Sequence, residues 1–470
     1  MPTQPSFLSR ARQTLPKELK QFLQPFLDKA YETQTPIYLI GGCVRDLLLN
    51  KTSIDVDVVL EGTAAPLARA AARLYKAKLV SHPQFLTHTL LLRDGRHLDI
   101  ATARTETYAE PAALPVVEPA SLQEDLYRRD FSINAIALSL NESDFGHIWD
   151  PFGGLEDLAS KKVRVLHAQS FKDDPTRIFR AARFAGRFGH ELEWRTREWL
   201  TEAVALQLPG RLSGARLREE LIPLLMEPDP RPSFRLLSQW GALSFLIPNL
   251  RWEKSHDAFF GQLIRQPEKE CTLMLRLLVL LHAIPFSKAI GNLEHLMFPQ
   301  KMIEQIEQAL TFVARMKDGS LSFADMQKTT KRPLPQEVRA FIAKAVKVKA
   351  LSPKKEMLVD WERFQDSAPC LSGRDVRDLG YKPGPVFTKI FDALRQARWE
   401  GKLRTREEEI RFLQHTFPIT NGHFEIQILQ HVQVFQIFMR NLRDRDIGDI
   451  QIVFFDQVQQ QIQGTLKDLQ

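Results

Sequence analysis

The stretch Tyr38-Leu-Ile-Gly-Gly-Cys-Val-Arg-Asp46, followed closely by Asp55-Val-Asp57, decides how this chain is read. It predicts a strand, a tight glycine turn, a helix that starts with Arg45 and Asp46, and a second strand ending in paired carboxylates. Gly41 and Gly42 let the backbone approach a phosphate closely, and helix N-terminal N–H groups favour anions. Aspartates at i and i+2 on a strand point to the same face, roughly 6.6 Å apart at Cα. That separation suits a pair of divalent ions roughly 3.5–4 Å apart, the clamp used in phosphoryl and nucleotidyl transfer. A lone Gly-Gly reads as a turn, and a lone Asp-x-Asp as a solvated strand end. Their conjunction points to metal-dependent nucleotidyl transfer.

Outward from this stretch, residues 14–33 read as an amphipathic helix leading into the Tyr38 strand. Ile37–Ile40, Asp55–Leu60, Thr87–Leu92 and His97–Thr102 are predicted strands, and Ala64–Tyr75 is a predicted alanine-rich helix. Pro111, Pro115 and Pro119 make residues 104–120 an expected extended, mobile loop. From about residue 170 helical periodicity takes over, with breaks at proline-rich points. The expected fold class is therefore α+β. The expected divisions are a head at 1–165, a helical neck at 166–245, and a helical body and tail at 246–416. A C-terminal extension at 417–470, glutamine-rich with a strand-like Gln451-Ile-Val-Phe-Phe455, has no functional reading.

A length of 470 residues exceeds what one core usually holds, so several domains are expected. The net charge of +7 fits a polyanionic partner, with clustering more telling than the total. Cys43, Cys271 and Cys370 are far apart and show neither zinc spacing nor a disulfide framework, which makes a reducing cytoplasm the expected compartment. The N-terminus has no apolar signal core. The longest apolar run, Leu273 to Ile284, is too short to span a bilayer and reads as a buried helix.

Two further segments carry chemistry. Arg128, Arg129 and Asp130, with Asn134 following, present planar donors suited to a triphosphate or, alternatively, a surface salt-bridge cluster. The turn Asp150-Pro-Phe-Gly-Gly reads as structural. In Lys172-Asp-Asp-Pro-Thr-Arg177, Asp173 or Asp174 can cap a helix with Pro175 in its first turn. Arg177, Arg180, Arg183 and Arg187 then share one stripe. With no interleaved carboxylate the stripe repels itself, so an anionic partner is expected. Asp174 and Arg177, at i and i+3, place an acceptor beside a donor. Cytosine and adenine offer a donor beside an acceptor; uracil and guanine present the reverse. One such pair could accept C and A and reject U and G through the cost of unpaired polar groups.

Gly-Gly-x-Val-Arg-Asp, Asp-x-Asp, Arg-Arg-Asp-x-x-x-Asn-Ala and Asp-x-x-Arg-x-x-Arg-x-x-Arg-Phe occur in an order and spacing that resembles the bacterial-type tRNA nucleotidyltransferase and poly(A) polymerase family, the class II CCA-adding enzymes and their relatives. The resemblance covers about residues 36–245 strongly. It continues more weakly through Leu371-Ser-Gly-Arg-Asp375 and Gly380-Tyr-Lys-Pro-Gly384. It implies a polymerase-beta-like nucleotidyltransferase head, with helical neck, body and tail holding tRNA. It implies that Gly41, Gly42, Arg45 and Asp46 serve the triphosphate and that Asp55 and Asp57 hold Mg²⁺. Arg129, Asp130 and Asn134 would lie beside the nucleotide. Asp174 and Arg177 would read the base, supported by Arg180 and Arg183. The family usually has Glu where Asp173 stands, which touches only the capping contact. Asp99 is a lesser candidate for a third carboxylate; it could instead orient Arg104.

The expected partners are tRNA, ATP and CTP, with no membrane. Whether the product is CCA, CC or A stays open, as do a poly(A) polymerase and a non-catalytic RNA-binding relative on the same scaffold. His256, Asp257 and His282 resemble a degenerate phosphohydrolase metal site, but Ala283 stands where a ligand is wanted, so His282 reads as a satisfied core histidine. Lys328 to Lys355 and Arg395 to Arg406 are the densest basic stretches and suit backbone phosphates.

Overall fold

The computed structural model describes residues 15–51, 55–265, 272–320 and 366–418, with single positions between 322 and 364. The chain divides into two compact units, residues 1–321 with 329–354, and residues 322–328 with 355–470.

The first unit opens with α1 (Lys17–Tyr31), which buries Phe22, Leu23, Phe26, Leu27 and Ala30 along one face. β1 (Ile37–Ile40), α2 (Gly42–Leu48), β2 (Asp55–Leu60), α3 (Ala64–Leu74), β3 (Lys78–His82), β4 (Thr87–Leu91) and β5 (His97–Thr102) follow. Next come β6 (Arg104–Thr107), β7 (Val116–Pro119), α4 (Leu122–Tyr127), β8 (Ala137–Ser139) and β9 (Ile148–Trp149). Seven strands form one sheet in the order β3-β4-β5-β2-β1-β8-β9, in which only β2 and β5 run parallel. β1 is buried along its whole length, as its unbroken Ile-Tyr-Leu-Ile run requires of a central strand. β2 alternates at its start: Val56 and Val58 are buried while Asp55 and Asp57 take the other face.

Two local expectations are revised. Residues 104–120 are not simply an extended loop: β6 and β7 pair as an antiparallel hairpin from Arg104↔Pro119 to Thr107↔Val116. Proline is tolerated there because this two-stranded ribbon consists of edges alone, where a missing N–H breaks no inner ladder. Helix α2 begins at Gly42, three residues before Arg45, so Arg45 and Asp46 lie within it.

Beyond the sheet, α5 (Gly154–Ala159) starts where the Asp150 carboxylate accepts the N–H groups of Gly154 and Leu155, the structural role expected of that turn. The short β10 (Lys162–Val163) leads to α6 (Ser170–Asp173) and α7 (Thr176–Phe188). β11 (Glu191–Leu192), α8 (Trp194–Ala205), α9 (Gly214–Met226) and α10 (Arg231–Gln239) complete the helical segment. α7 buries Ile178, Phe179, Ala181, Ala182, Phe184 and Ala185, the apolar side predicted for it. It packs on α9 and α10, and a Cβ on Gly186 would lie only 2.3 Å from Ser233 Oγ. Helix Leu273–Leu281 is buried from Met274 onward, and its Arg276 guanidinium donates to the carbonyls of Leu225 and Glu227.

In the second unit, helices Gly373–Asp378, Pro385–Trp399 and Arg406–Thr416 enclose Leu371, Val376, Tyr381, Ile390, Leu394 and Leu413. The buried Glu409 carboxylate accepts from the backbone of Cys370 and Leu371 and from Arg398. The 419–470 tail and the basic run from Lys328 to Lys355 lie outside the described residues.

Candidate active site

Gly41 lets three parts of the site meet. Its φ of 70° and ψ of −136° are conformations that side chains avoid. A Cβ there would stand 2.9 Å from Arg129 Nη1 and 3.7 Å from Asp57 Oδ2. The bare turn therefore admits the Arg129 guanidinium beside Asp57. Arg129 is anchored from behind, donating through Nη2 to the buried Asp125 at 2.9 Å.

The parallel pairing of β2 and β5 puts Asp57 in register with Asp99, and Asp55 with His97. Paired residues of neighbouring strands share a face, so Asp99 joins the two predicted carboxylates. Loss of water around Asp57, then the charges of Asp99 and Asp55, push its carboxyl up to about 6, against the pull of Arg129 and Arg45. Burial likewise raises Asp99, which accepts a hydrogen bond from Thr89 Oγ1. Asp99 does not orient Arg104: that guanidinium binds Glu106 at 3.1 Å and the Phe85 carbonyl. Asp55 is the most open of the three, its side chain 67% exposed. Cys43, in the same turn, is buried and its thiol is pushed up to about 12, chiefly by desolvation, so it is no nucleophile.

A second network runs from the turn to the arginine helix. Arg45 is buried and donates to Asp46 at 2.9 Å and to Asn134 Oδ1 at 2.6 Å. Asn134 donates to Asp130 at 2.9 Å, and Asp130 accepts from Arg180 at 2.7–2.8 Å. Burial works against ionising Asp130, but Arg180 and the Asn134 bond outweigh it and hold the carboxyl at about 2. The Arg45 guanidinium also lies over the rings of Phe184 and Phe188, 5.1 and 4.9 Å from their centroids.

The arginine stripe is not bare of carboxylates, as its sequence implied. Arg180 meets Asp130, Arg187 lies 3.7 Å from Glu227, and Arg183 sits near Glu220 and Glu227. These acids come from other elements, so spacing within α7 gave no sign of them. Of the two candidate caps, Asp174 rather than Asp173 holds the start of α7. It is extended (φ −133°, ψ 93°) and precedes α7, accepting from Thr176 N at 3.1 Å and Thr176 Oγ1 at 2.7 Å.

The charge pair itself is unusual. Asp174 Oδ1 takes both Thr176 donors and Arg216 Nη2, at 2.8 Å. Its Oδ2 accepts nothing among the described residues. Arg177 donates through Nη2 to the Arg128 carbonyl at 2.6 Å, while its buried Nη1 has no partner. One free acceptor and one orphaned donor thus remain. Tyr108, from the hairpin, feels the charges of both residues; desolvation and Glu106 hold its phenol above the usual range. Arg216, Glu220 and Tyr108 were missed from the sequence. An Arg and a Glu one turn apart in α9 look like an ordinary solvated pair.

Among the described residues, no group of three or more His, Cys, Asp or Glu side chains converges to enclose a metal ion. His256 accepts from Glu253 N and reaches the Leu280 carbonyl, and His282 reaches Ser255. Asp257 pairs with Arg235 and Trp252. These ring nitrogens are committed to the core. In the second unit Arg398 pairs with Glu409, Lys402 with Glu400 and Arg406 with Asp375, while Arg395 lies over Phe364. Among the described residues, no helix is long and apolar enough to cross a membrane.

Sheet, glycine turn and paired aspartates together define a nucleotidyltransferase head of the polymerase-beta-like kind. The family described as "Poly A polymerase head domain" matches residues 37–164, and "Probable RNA and SrmB- binding site of polymerase A" matches 191–253. An A-adding tRNA nucleotidyltransferase of Geobacter sulfurreducens is 32% identical, over 84% of this chain and 47% of its own length. This chain thus spans about half of that relative. One from Halalkalibacterium halodurans is 30% identical, over 86% of this chain and 94% of its own. Enzymes named CC-adding and CCA-adding match as well. The solved structure of a CCA-adding enzyme in an apo form superposes with a TM-score of 0.65 at 29% identity, over 87% of this chain and 98% of the other. The chain belongs to the tRNA nucleotidyltransferase family.

Proposed function

We propose that this chain adds CMP, AMP or both, from CTP and ATP, to the 3′ end of tRNA without a template. The observation that carries the reading is the half-satisfied pair: Asp174 Oδ2 accepts nothing among the described residues, and the buried Arg177 Nη1 has no partner. A buried donor without a partner costs about 1–3 kcal/mol, and an incoming cytosine or adenine edge would relieve it. Uracil and guanine would set donor against donor. Structures of similar enzymes carry tRNA, CTP and ATP.

Magnesium fits the carboxylates. The donor set is all oxygen, and the crowding that lifts Asp57 to about 6 is what a divalent ion would relieve. Asp55 and Asp57 would hold it, with Asp99 alongside. When bound, the ion supplies charge for the phosphates and acidifies the attacking hydroxyl. The protein's own part is positioning. Gly41 and Gly42 offer bare backbone to the phosphates, and Arg129 brings a positive charge to the same spot. Arg45, Asp46, Asn134 and Asp130 form the frame linking that spot to Arg180 and the selecting helix. Arg183 adds charge along the same helix. The 3′-hydroxyl then attacks the α-phosphate in line, and pyrophosphate leaves.

Incubating purified protein with Mg²⁺, each labelled nucleotide separately, and tRNAs ending before C, after CC or complete tests the proposal. Addition of CTP, ATP or both that stops at or before CCA supports it. Open-ended ATP addition to RNA lacking tRNA shape moves the assignment to a poly(A) polymerase, and no incorporation refutes it. Asp55→Ala should abolish addition and leave tRNA binding nearly intact; full activity in that variant removes the metal assignment.

A further inference from the structure

Oppositely charged side chains three residues apart at a helix start ordinarily close on each other. Asp174 and Arg177 do not, for no bond joins them. Two outside groups hold them apart. The Arg128 carbonyl takes Arg177 Nη2 at 2.6 Å, and Arg216 takes Asp174. Arg216 stands on α9, whose first turn is capped by Ser213 and whose Leu217 and Leu221 are buried, so its base is fixed. Its planar guanidinium bridges two partners, Nη2 to Asp174 Oδ1 at 2.8 Å and Nη1 to the Ala112 carbonyl at 2.7 Å. Ala112 lies in the turn between β6 and β7 with φ of 67°, a conformation alanine resists unless held. The side chain is only 21% exposed, so little water competes for these bonds.

We propose that Arg216 is a positioning residue for nucleotide choice: it holds Asp174 off Arg177, leaving the Asp174 acceptor and the Arg177 donor unspent on each other, and ties that state to the 108–115 turn. All three donors to Asp174 fall on Oδ1, so Oδ2 is left without a donor among the described residues. Without Arg216 the carboxylate is free to swing onto Arg177 Nη1. The pair then satisfies itself, and a base must break an ion pair to be read. This inference rests on the base-reading role proposed above.

The test measures KM, kcat and CTP-and-ATP over UTP preference for Arg216→Met, Arg216→Lys and Arg177→Ala, with limited proteolysis of the 108–115 turn. Arg216→Met should raise KM for CTP and ATP about tenfold, the worth of one hydrogen bond to an ion, with kcat changed less. Its preference over UTP should fall, and the turn should be cut faster. Lysine gives a point charge rather than a planar pair of donors. Arg216→Lys should therefore recover most of the preference while the turn stays exposed. If Arg216→Met keeps KM and preference while Arg177→Ala loses preference, base reading stands and the role of Arg216 is overturned. A fall in kcat alike for all nucleotides, with KM unmoved, also overturns it. Unchanged preference in Arg177→Ala defeats the base-reading premise itself.

Discussion

A single hydrogen atom at Gly41 in place of a methyl group sets the spacing between Arg129 and Asp57. A Cβ would face Arg129 Nη1 at 2.9 Å, tighter than contacts tolerate, on a backbone already in glycine-only territory. Gly41→Ala should therefore shift the guanidinium. We expect activity to fall about 100-fold, the scale of a misplaced positioning group. The fold should survive, as circular dichroism would show; activity near that of the parent chain would mean that Arg129 has no part in the reaction. Asp125 and Asp130 act one step behind. Each is buried and paired with arginine, Asp125 with Arg128 and Arg129 and Asp130 with Arg180.

Helix α7 shows what a linear pattern carries and what it omits. Its apolar face was legible because burial follows the 3.6-residue period. The same holds for β1, β2 and β5, whose branched and alternating residues gave their bounds. Helix α7's charged face was misjudged because Asp130, Glu220 and Glu227 arrive from segments more than 30 residues away in sequence. The β6–β7 hairpin was missed because its prolines mask a ribbon with no inner ladder to break. The register of Asp99 with Asp57 was not legible because it depends on a parallel pairing that no local signal specifies.

Glu220, on α9, titrates away from the ordinary glutamate range. Desolvation raises its carboxyl to about 7, partly offset by Arg180 and Arg183, with Asp174 and Asp130 adding to the rise. The folded protein thus holds this proton more tightly than the unfolded chain, whose glutamate titrates near 4.5. The stabilisation is full below that value and is lost as pH rises through about 7. Glu220→Gln, which stays neutral, should flatten the fall in Tm between those limits. A Tm profile with the parent's slope would show that Glu220 is not the titrating group.

At the scale of the whole molecule, an excess of 64 basic over 57 acidic residues gives a net charge of +7. Much of the described charge is paired internally, as at Arg398, Lys402 and Arg406. Binding to tRNA should nonetheless depend on counterion release, weakening at least about tenfold between about 50 and 200 mM salt. Filter binding across that range checks it; a flat response would point to recognition without phosphate contacts.

Arg45 has a mechanical consequence. One guanidinium, roofed by Phe184 and Phe188 and bolted to Asn134, fastens the glycine turn to the arginine helix. If that helix reads the base and the turn receives the phosphates, as proposed, any tilt of the helix would be geared directly to the turn. Choosing a letter and aligning its reactive end would then be one movement.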